Sequence, residues 1–414
     1  MPSASGQPPA PLLVNGRSYK LPVQPTVVVC IDGSEPDYIG LAIAAGCMPW
    51  LKSTLQSGTG LTARAVMPSF TNPNNLSIVT GVPPSIHGIC GNYFFDTKTQ
   101  TEVMMNDPSY LRSPTILAAM ANAGKSVAVV TAKEKLRLLL GSRLNGICFS
   151  AEKADEAAIA SHGIDKVPGM VGMPVPCAYS AALSEFVLAA GVQLMRHQRP
   201  DLMYLSTTDY VQHKAAPGSD AANRFYAMLD GYFAQLDALG CVVALTADHG
   251  MGSKIALDGK PNVVYLQGLF DDWLGLARTR VILPITDPYV AHHGALGSFA
   301  TVYLPPKTSA KGWCETLLQV PGIARALPRE QAALEFELPA DRIGDVVVVS
   351  DANTVLGTTP DRHDLTQLDA PLRSHGGLSE QRVPLILNHP LPLLSRVRSF
   401  RNFDAFDLAL NFAQ

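Results

Sequence analysis

The chain has 414 residues, with 32 Lys+Arg against 35 Asp+Glu and a formal net charge of -3. Only 16% of its residues are charged, against roughly 25% in an average globular protein, which excludes a polyanion-binding surface and makes nucleic acid an unexpected partner. Hydrophobic content of 47% with 33 Gly and 32 Pro fits a loop-rich globule of two or three domains, or one large core with an inserted lobe; no stretch approaches the ~20 apolar residues of a membrane span.

In chain order, residues 1–20 are read as a flexible N-terminal segment, because the first 16 are rich in Pro, Ser and Ala and lack the basic and apolar regions of a signal peptide. Short β-branched runs follow at 26–31, 126–131, 202–206 and 241–246, with helical patterns at 115–123, 181–197 and 222–239. This βαβ rhythm predicts an α/β core, a doubly wound and mostly parallel sheet covered on both faces. Between Gly252 and Ser374 the rhythm breaks into Pro- and Gly-punctuated stretches. Residues 253–373 are therefore expected to form a smaller inserted cap, with 21–252 and 374–414 as the catalytic core. An apolar run at 383–387 and a helical tail at 403–412 return to the core pattern. The seven cysteines are scattered without a CxxC pair, and Cys30 and Cys241 sit in apolar runs where a thiol acts as a small hydrophobe. A reduced, cytoplasmic protein is expected.

Three core runs lead into acidic residues: Ile31 into Asp32, Ser206 into Asp209, and Thr246 into Asp248. Ligands of open parallel sheets bind beyond the carboxyl ends of the strands, so these carboxylates are expected on one sheet edge. A lone Asp there usually caps a helix or turn, but here histidines accompany them. Asp209 and His213 lie one helical turn apart, His249 follows Asp248, and His375 stands in a Ser-His-Gly-Gly run. Six N/O ligands suit two zinc ions with three protein ligands each and an open position on each ion. Three carboxylates leave two dications with one positive charge in excess, which favours a substrate anion containing phosphorus. Thr71 offers a hydroxyl nucleophile: with Pro73 in the first turn of a helix, Thr71 is expected at the N-cap, facing free N–H groups and the positive end of the dipole. Ser69 is the competing hydroxyl.

The run Thr-Ala-Asp248-His249-Gly-Met, the Asp32-Gly pair after an apolar run, Pro-Ser-Phe-Thr71-Asn-Pro-Asn and His87-Gly-Ile-Cys-Gly-Asn92 together resemble the alkaline phosphatase superfamily, in its nucleotide pyrophosphatase/phosphodiesterase branch. The resemblance spreads over nearly the whole core. It implies one zinc on Asp209, His213 and His375, a second on Asp32, Asp248 and His249, and Thr71 as the nucleophile bridging both. It also implies Asn92 as the group that hydrogen-bonds a phosphoryl oxygen. His87 is read as a turn or packing residue.

Residues 131–137 follow a core run at the same sheet edge and carry Lys133 and Lys135 toward the open site. Such a segment is commonly a solvated face, but two ammonium groups beside a dizinc site call for a second anion on the same small substrate. The arrangement is similar to the carbon–phosphorus hydrolase branch of the superfamily, which implies cleavage of phosphonoacetate to acetate and phosphate through a phosphothreonine. The leaving carbanion would delocalise into its carboxylate, where cations stabilise it. His292 and His293, paired in a Gly-rich stretch of the cap, are candidates to line the pocket or supply the proton. The expected partners are two Zn2+ per chain and a small anionic phosphonate, without nucleic acid or membrane, and with a homodimer as the assembly entertained. Two alternatives stay open: a phosphodiesterase or nucleotide pyrophosphatase using the same dizinc site, and a metal-binding sensor on an inactive hydrolase fold.

Overall fold

The computed structural model describes residues 10–392 and 399–413. The β-branched runs form the strands Thr26–Cys30, Val127–Thr131, Leu202–Ser206 and Val242–Thr246. They belong to an eight-stranded sheet in the order Phe400–Arg401, Thr59–Arg64, Arg382–Leu387, Val242–Thr246, Thr26–Cys30, Leu202–Ser206, Val127–Thr131, Ile147–Ser150. The last five strands run parallel, with Thr26 opposite both Val242 and Leu202. Arg382–Leu387 is antiparallel to both its neighbours.

Both faces of the sheet are covered. Val28 and Cys30 pack into one apolar cluster, and Val27, Val29 and Ile31 into another, which is the alternation a two-residue strand repeat imposes. Helices Thr71–Thr80, Ile116–Asn122 and Ala405–Asn411 close the first cluster; Pro36–Ala44, Ala182–His197 and Asp220–Ala238 close the second. Two of these helices start where a hydroxyl takes up a free backbone N–H: Thr115 accepts from Ala118, and Ser219 from Ala222. The result is the expected mixed α/β fold around a mostly parallel sheet.

The stretch 253–373 is more regular than its Gly and Pro content suggests. It carries a four-stranded antiparallel sheet in the order Arg280–Ile282, Phe299–Tyr303, Val346–Ser350, Ile323–Pro328. Helices Leu266–Leu274 and Ala310–Leu317 back this sheet around a separate apolar cluster. The chain leaves and rejoins the core through a short ribbon, Gly252–Ser253 against Arg373–Ser374. The flexible reading of residues 1–20 is corrected in its described part: Leu12–Val14 pairs with Arg17–Tyr19, and Val14 and Tyr19 are buried in the core. The Pro, Ser and Ala content behind that reading is concentrated in residues 1–9, which lie outside the described residues. Among the described residues no helix is long and apolar enough to cross a membrane.

Candidate metal centre and active site

Because Val242–Thr246, Thr26–Cys30 and Leu202–Ser206 are parallel neighbours, Asp248, Asp32 and Asp209 leave the sheet on one edge. Asp209 precedes the short Tyr210–Lys214 helix that carries His213, and His375 follows the returning ribbon strand Arg373–Ser374. The six side chains separate into two groups, Asp209, His213 and His375 in one and Asp32, Asp248 and His249 in the other. Within each group the potential ligand atoms lie within 4.8 Å of one another. His213 Nε2 is 3.0 Å and His375 Nε2 3.7 Å from Asp209 Oδ2, while His249 Nε2 is 3.3 Å from Asp32 Oδ1.

Backbone carbonyls fix how the three imidazoles face the site. Nδ1 of His213, His249 and His375 lies 3.0, 2.8 and 2.9 Å from the carbonyl oxygens of Arg373, Gly250 and Ser69. A carbonyl can only accept, so each Nδ1 carries a proton, and each Nε2, when unprotonated, turns its lone pair toward the carboxylates. In that form lone pairs meet carboxylate oxygens, and Asp32 Oδ1 is buried with only His249 Nε2 near it. That arrangement suits cations. The protein's own charges point the same way: burial, and then Asp209 and Asp248, push the Asp32 carboxyl well above the ordinary range. Burial lowers His249, but Asp248, Asp32 and Asp209 overcome it and carry its pKa up to about 10. His375, buried and facing His249, is held well below the ordinary imidazole value. Two divalent ions would satisfy the three carboxylates and three lone pairs that protons satisfy only in part.

Groups that sequence reasoning did not single out hold the carboxylates. Asp248 Oδ1 accepts the N–H groups of Gly33 and His249 at 3.2 and 3.0 Å, and its Oδ2 accepts Asn75 Nδ2 at 3.1 Å. Asn75 is itself fixed by Tyr204 Oη and Ser206 Oγ, at 2.7 and 2.8 Å from its Oδ1. Gly33 adopts φ +71, and a Cβ there would lie 2.9 Å from Asp209 Cβ, so the approach of these loops requires glycine. The Arg373 guanidinium donates to the carbonyls of Gln212 and Met251, tying the His213 helix to the loop beyond His249.

Thr71 Oγ1 lies 3.3 Å from His249 Nε2. The N-cap expectation needs correction: helix Thr71–Thr80 has Phe70 at its cap, and Thr71 is the first helical residue. Pro73 fits the third helical position equally well, because no first-turn N–H has an intrahelical acceptor. The Thr71 hydroxyl is thus free of a capping bond. Ser69 is buried with its hydroxyl given to the Gly377 carbonyl at 2.7 Å, which removes it from competition. His87 is buried between Ser77 Oγ and the Ile89 N–H, and burial pushes its pKa down to about 3. Asn92 Oδ1 accepts from Asn72 at 2.6 Å, and its Nδ2 donates to the Ile285 carbonyl.

A cavity of about 430 Å3 opens beside the first group, lined by Asp209, His213, Lys133, His292, His293 and Arg373 among others. The Lys133 ammonium donates to the Ala178 carbonyl and lies 4.9 Å from the centre of the Tyr179 ring. Lys135 is placed differently. It is largely exposed, pairs with Asp287 at 3.1 Å and does not line this cavity. Its neighbour two residues away faces the site because Glu134 starts a helix between them and turns the chain.

The model of the type I phosphodiesterase/nucleotide pyrophosphatase family matches residues 26–378, and the chain belongs to that family. Murine ectonucleotide pyrophosphatase/phosphodiesterase 5, solved with AMP, shares the fold at a TM-score of 0.63 and 17% identity, over 94% of this chain and 96% of that one. Much greater similarity links the chain to phosphonoacetate hydrolase from Sinorhizobium meliloti 1021, solved with phosphonoformate: 57% identity, TM-score 0.95, and coverage of 98% of this chain and 99% of that one. A second structure of that hydrolase contains phosphonoacetate. Among curated proteins, the phosphonoacetate hydrolase of Penicillium oxalicum is 69% identical over 29 residues, 7% of this chain and 40% of that protein. The matched stretches span between 8% and 40% of the curated relatives' own length.

Proposed function

We propose that the chain is a zinc-dependent hydrolase that cleaves the carbon–phosphorus bond of phosphonoacetate, giving acetate and phosphate through a phosphothreonine on Thr71. The observation that carries this reading is the convergence of six Asp and His ligand atoms beside an uncapped threonine hydroxyl, next to a cavity with Lys133 in its wall. Similarity to a hydrolase solved with phosphonoacetate and phosphonoformate supports the substrate class.

Asp209, His213 and His375 would hold one Zn2+ and Asp32, Asp248 and His249 the other, with Thr71 Oγ1 offered to both; an N/O donor set without thiolate suits this. When bound, the two ions stabilise the Thr71 alkoxide and neutralise charge on the phosphoryl oxygens. Thr71 Oγ1, its proton lost to solvent, attacks phosphorus in line, so that a P–O bond forms as the P–C bond breaks. The electron pair passes to carbon and spreads into the adjacent carboxylate, where the Lys133 ammonium stabilises it. A proton from solvent completes acetate. Water then hydrolyses the phosphothreonine, releasing phosphate and restoring the hydroxyl. Asn92 holds a phosphoryl oxygen with its second amide hydrogen, since the first is given to Ile285 and its oxygen is fixed by Asn72.

His292 and His293 line the substrate cavity. Burial, with His292 and His213 nearby, lowers the His293 pKa, which suits a neutral hydrogen-bond donor better than a proton donor. Lys135 is held by Asp287 and makes no contact in the cavity wall. The catalytic core is assigned to 21–252 and 374–414, extended by the N-terminal hairpin, with 253–373 as the cap. The test is phosphate and acetate release from phosphonoacetate by zinc-loaded protein, before and after chelation. Equal molar release that chelation abolishes supports the reading; preferential turnover of a nitrophenyl phosphodiester would favour the phosphodiesterase alternative.

A further inference from the structure

A buried ion pair sits where the cap leaves and rejoins the core. Lys254, next to the ribbon strand Gly252–Ser253, is fully buried, and Glu380 is 2% exposed. Lys254 Nζ donates to Glu380 Oε1 at 3.0 Å and to the Ala352 carbonyl at 2.8 Å, just beyond the cap strand Val346–Ser350. Glu380 Oε2 accepts the Gly377 N–H at 3.0 Å, Ser379 Oγ donates to Oε1 at 2.7 Å, and the Glu380 carbonyl accepts the Gly250 N–H at 2.7 Å. A Cβ at Gly252 would lie 2.7 Å from Oε1, so backbone closes tightly on the carboxylate.

Glu380 therefore grips the main chain directly after His249 with its backbone carbonyl and two residues after His375 with its carboxylate, whose position Lys254 fixes. These histidines belong to different ligand groups, yet their rings stack with centroids 3.6 Å apart and planes 4° from parallel. A change in either loop alters the spacing between the two groups. Stabilisation alone is a poor reason for the pair, because apolar residues of similar volume often replace a buried ion pair without loss. An apolar pair could not accept the Gly377 N–H or dock the Ala352 carbonyl.

We propose that Lys254 and Glu380 are a positioning pair that sets the separation of His249 and His375 and thereby links cap docking to zinc affinity at both ligand groups. The proposal rests on the dizinc reading above. Neither residue touches substrate; both act through the histidine loops.

The test is zinc titration of the full chain in competition with a chromophoric chelator, with thermal melting measured on the same samples. Glu380→Gln should weaken zinc binding by about 10-fold, the low end of what losing a direct partner of a metal ligand costs, because Glu380 acts through the Gly377 N–H, and lower the melting temperature. The double variant Lys254→Met/Glu380→Gln removes both charges while keeping their shapes. Its melting temperature should return toward that of the parent while its zinc affinity stays reduced, because a neutral amide holds the Gly377 N–H less firmly than a carboxylate does. Zinc affinity that recovers in step with melting in the double variant would overturn the proposal, since a purely structural pair behaves that way. Unchanged affinity in Glu380→Gln, with two zinc ions bound by the parent, would overturn this assignment alone. A parent chain that takes up no zinc would overturn the dizinc reading and this assignment with it.

Discussion

Asp248 and His249 have no exposed side-chain surface and Asp32 only 6%, whereas His213 keeps 36% and Asp209 17%. The buried group emerges directly from two adjacent central strands, and core residues, among them Asn75, hold its carboxylates. The open group comes from a five-residue helix and a ribbon return; its Asp209 and His213 line the cavity, while His375 is as buried as Asp32. On the proposed reading, similar donor sets serve different ends: the buried one would anchor an ion and Thr71 to the core, while the open one would meet the substrate.

Thr71 lies against His249 of the buried group, so its removal should have the largest effect. Thr71→Ala should lower turnover by roughly a thousandfold or more with zinc content unchanged by elemental analysis, while Thr71→Ser keeps part of the activity. Near-normal turnover in Thr71→Ala would detach the nucleophile from the buried group altogether.

The two ligand groups should next differ in what they cost the fold. Asp209→Ala and Asp248→Ala should each remove one zinc preferentially. Asp248→Ala should also lower stability, because Gly33 N–H, His249 N–H and Asn75 Nδ2 lose their acceptor, and a buried unsatisfied group costs about 1–3 kcal/mol. Denaturant unfolding measures the difference; equal stability losses would erase the distinction between an anchoring and an exposed group.

The smaller effect sharpens the cavity side. Lys133→Ala should depress phosphonoacetate cleavage by roughly 10- to 150-fold relative to a phosphoester, the worth of one charge-assisted contact. Lys135→Ala should leave that ratio nearly unchanged, since its ammonium is held by Asp287. A ratio moved equally by both lysines would contradict the placement of Lys133 alone at the cavity.

The strands and the edge where the carboxylates gather were legible because β-branched runs such as Thr26–Cys30 are buried on both faces and parallel topology fixes where their ends point. Both ligand groups follow from that edge together with the histidine spacing and the family resemblance. The start of helix Thr71–Thr80 was misjudged by one residue, since proline tolerates any first-turn position. Lys133 and Lys135 look equivalent in sequence, but the turn into the helix beginning at Glu134 separates their directions. Lys254, Glu380 and Asn75 carried no signal, because burial of a polar side chain depends on contacts made far away along the chain.

The most direct measurement is turnover of phosphonoacetate by the metal-stripped chain during stepwise zinc addition, followed as phosphate release. Activity should rise to a plateau at two zinc ions per chain and vanish on chelation, with acetate formed in equal amount. Full activity at one ion, or phosphate release indifferent to zinc, would contradict a dizinc site divided between an anchored and an open group.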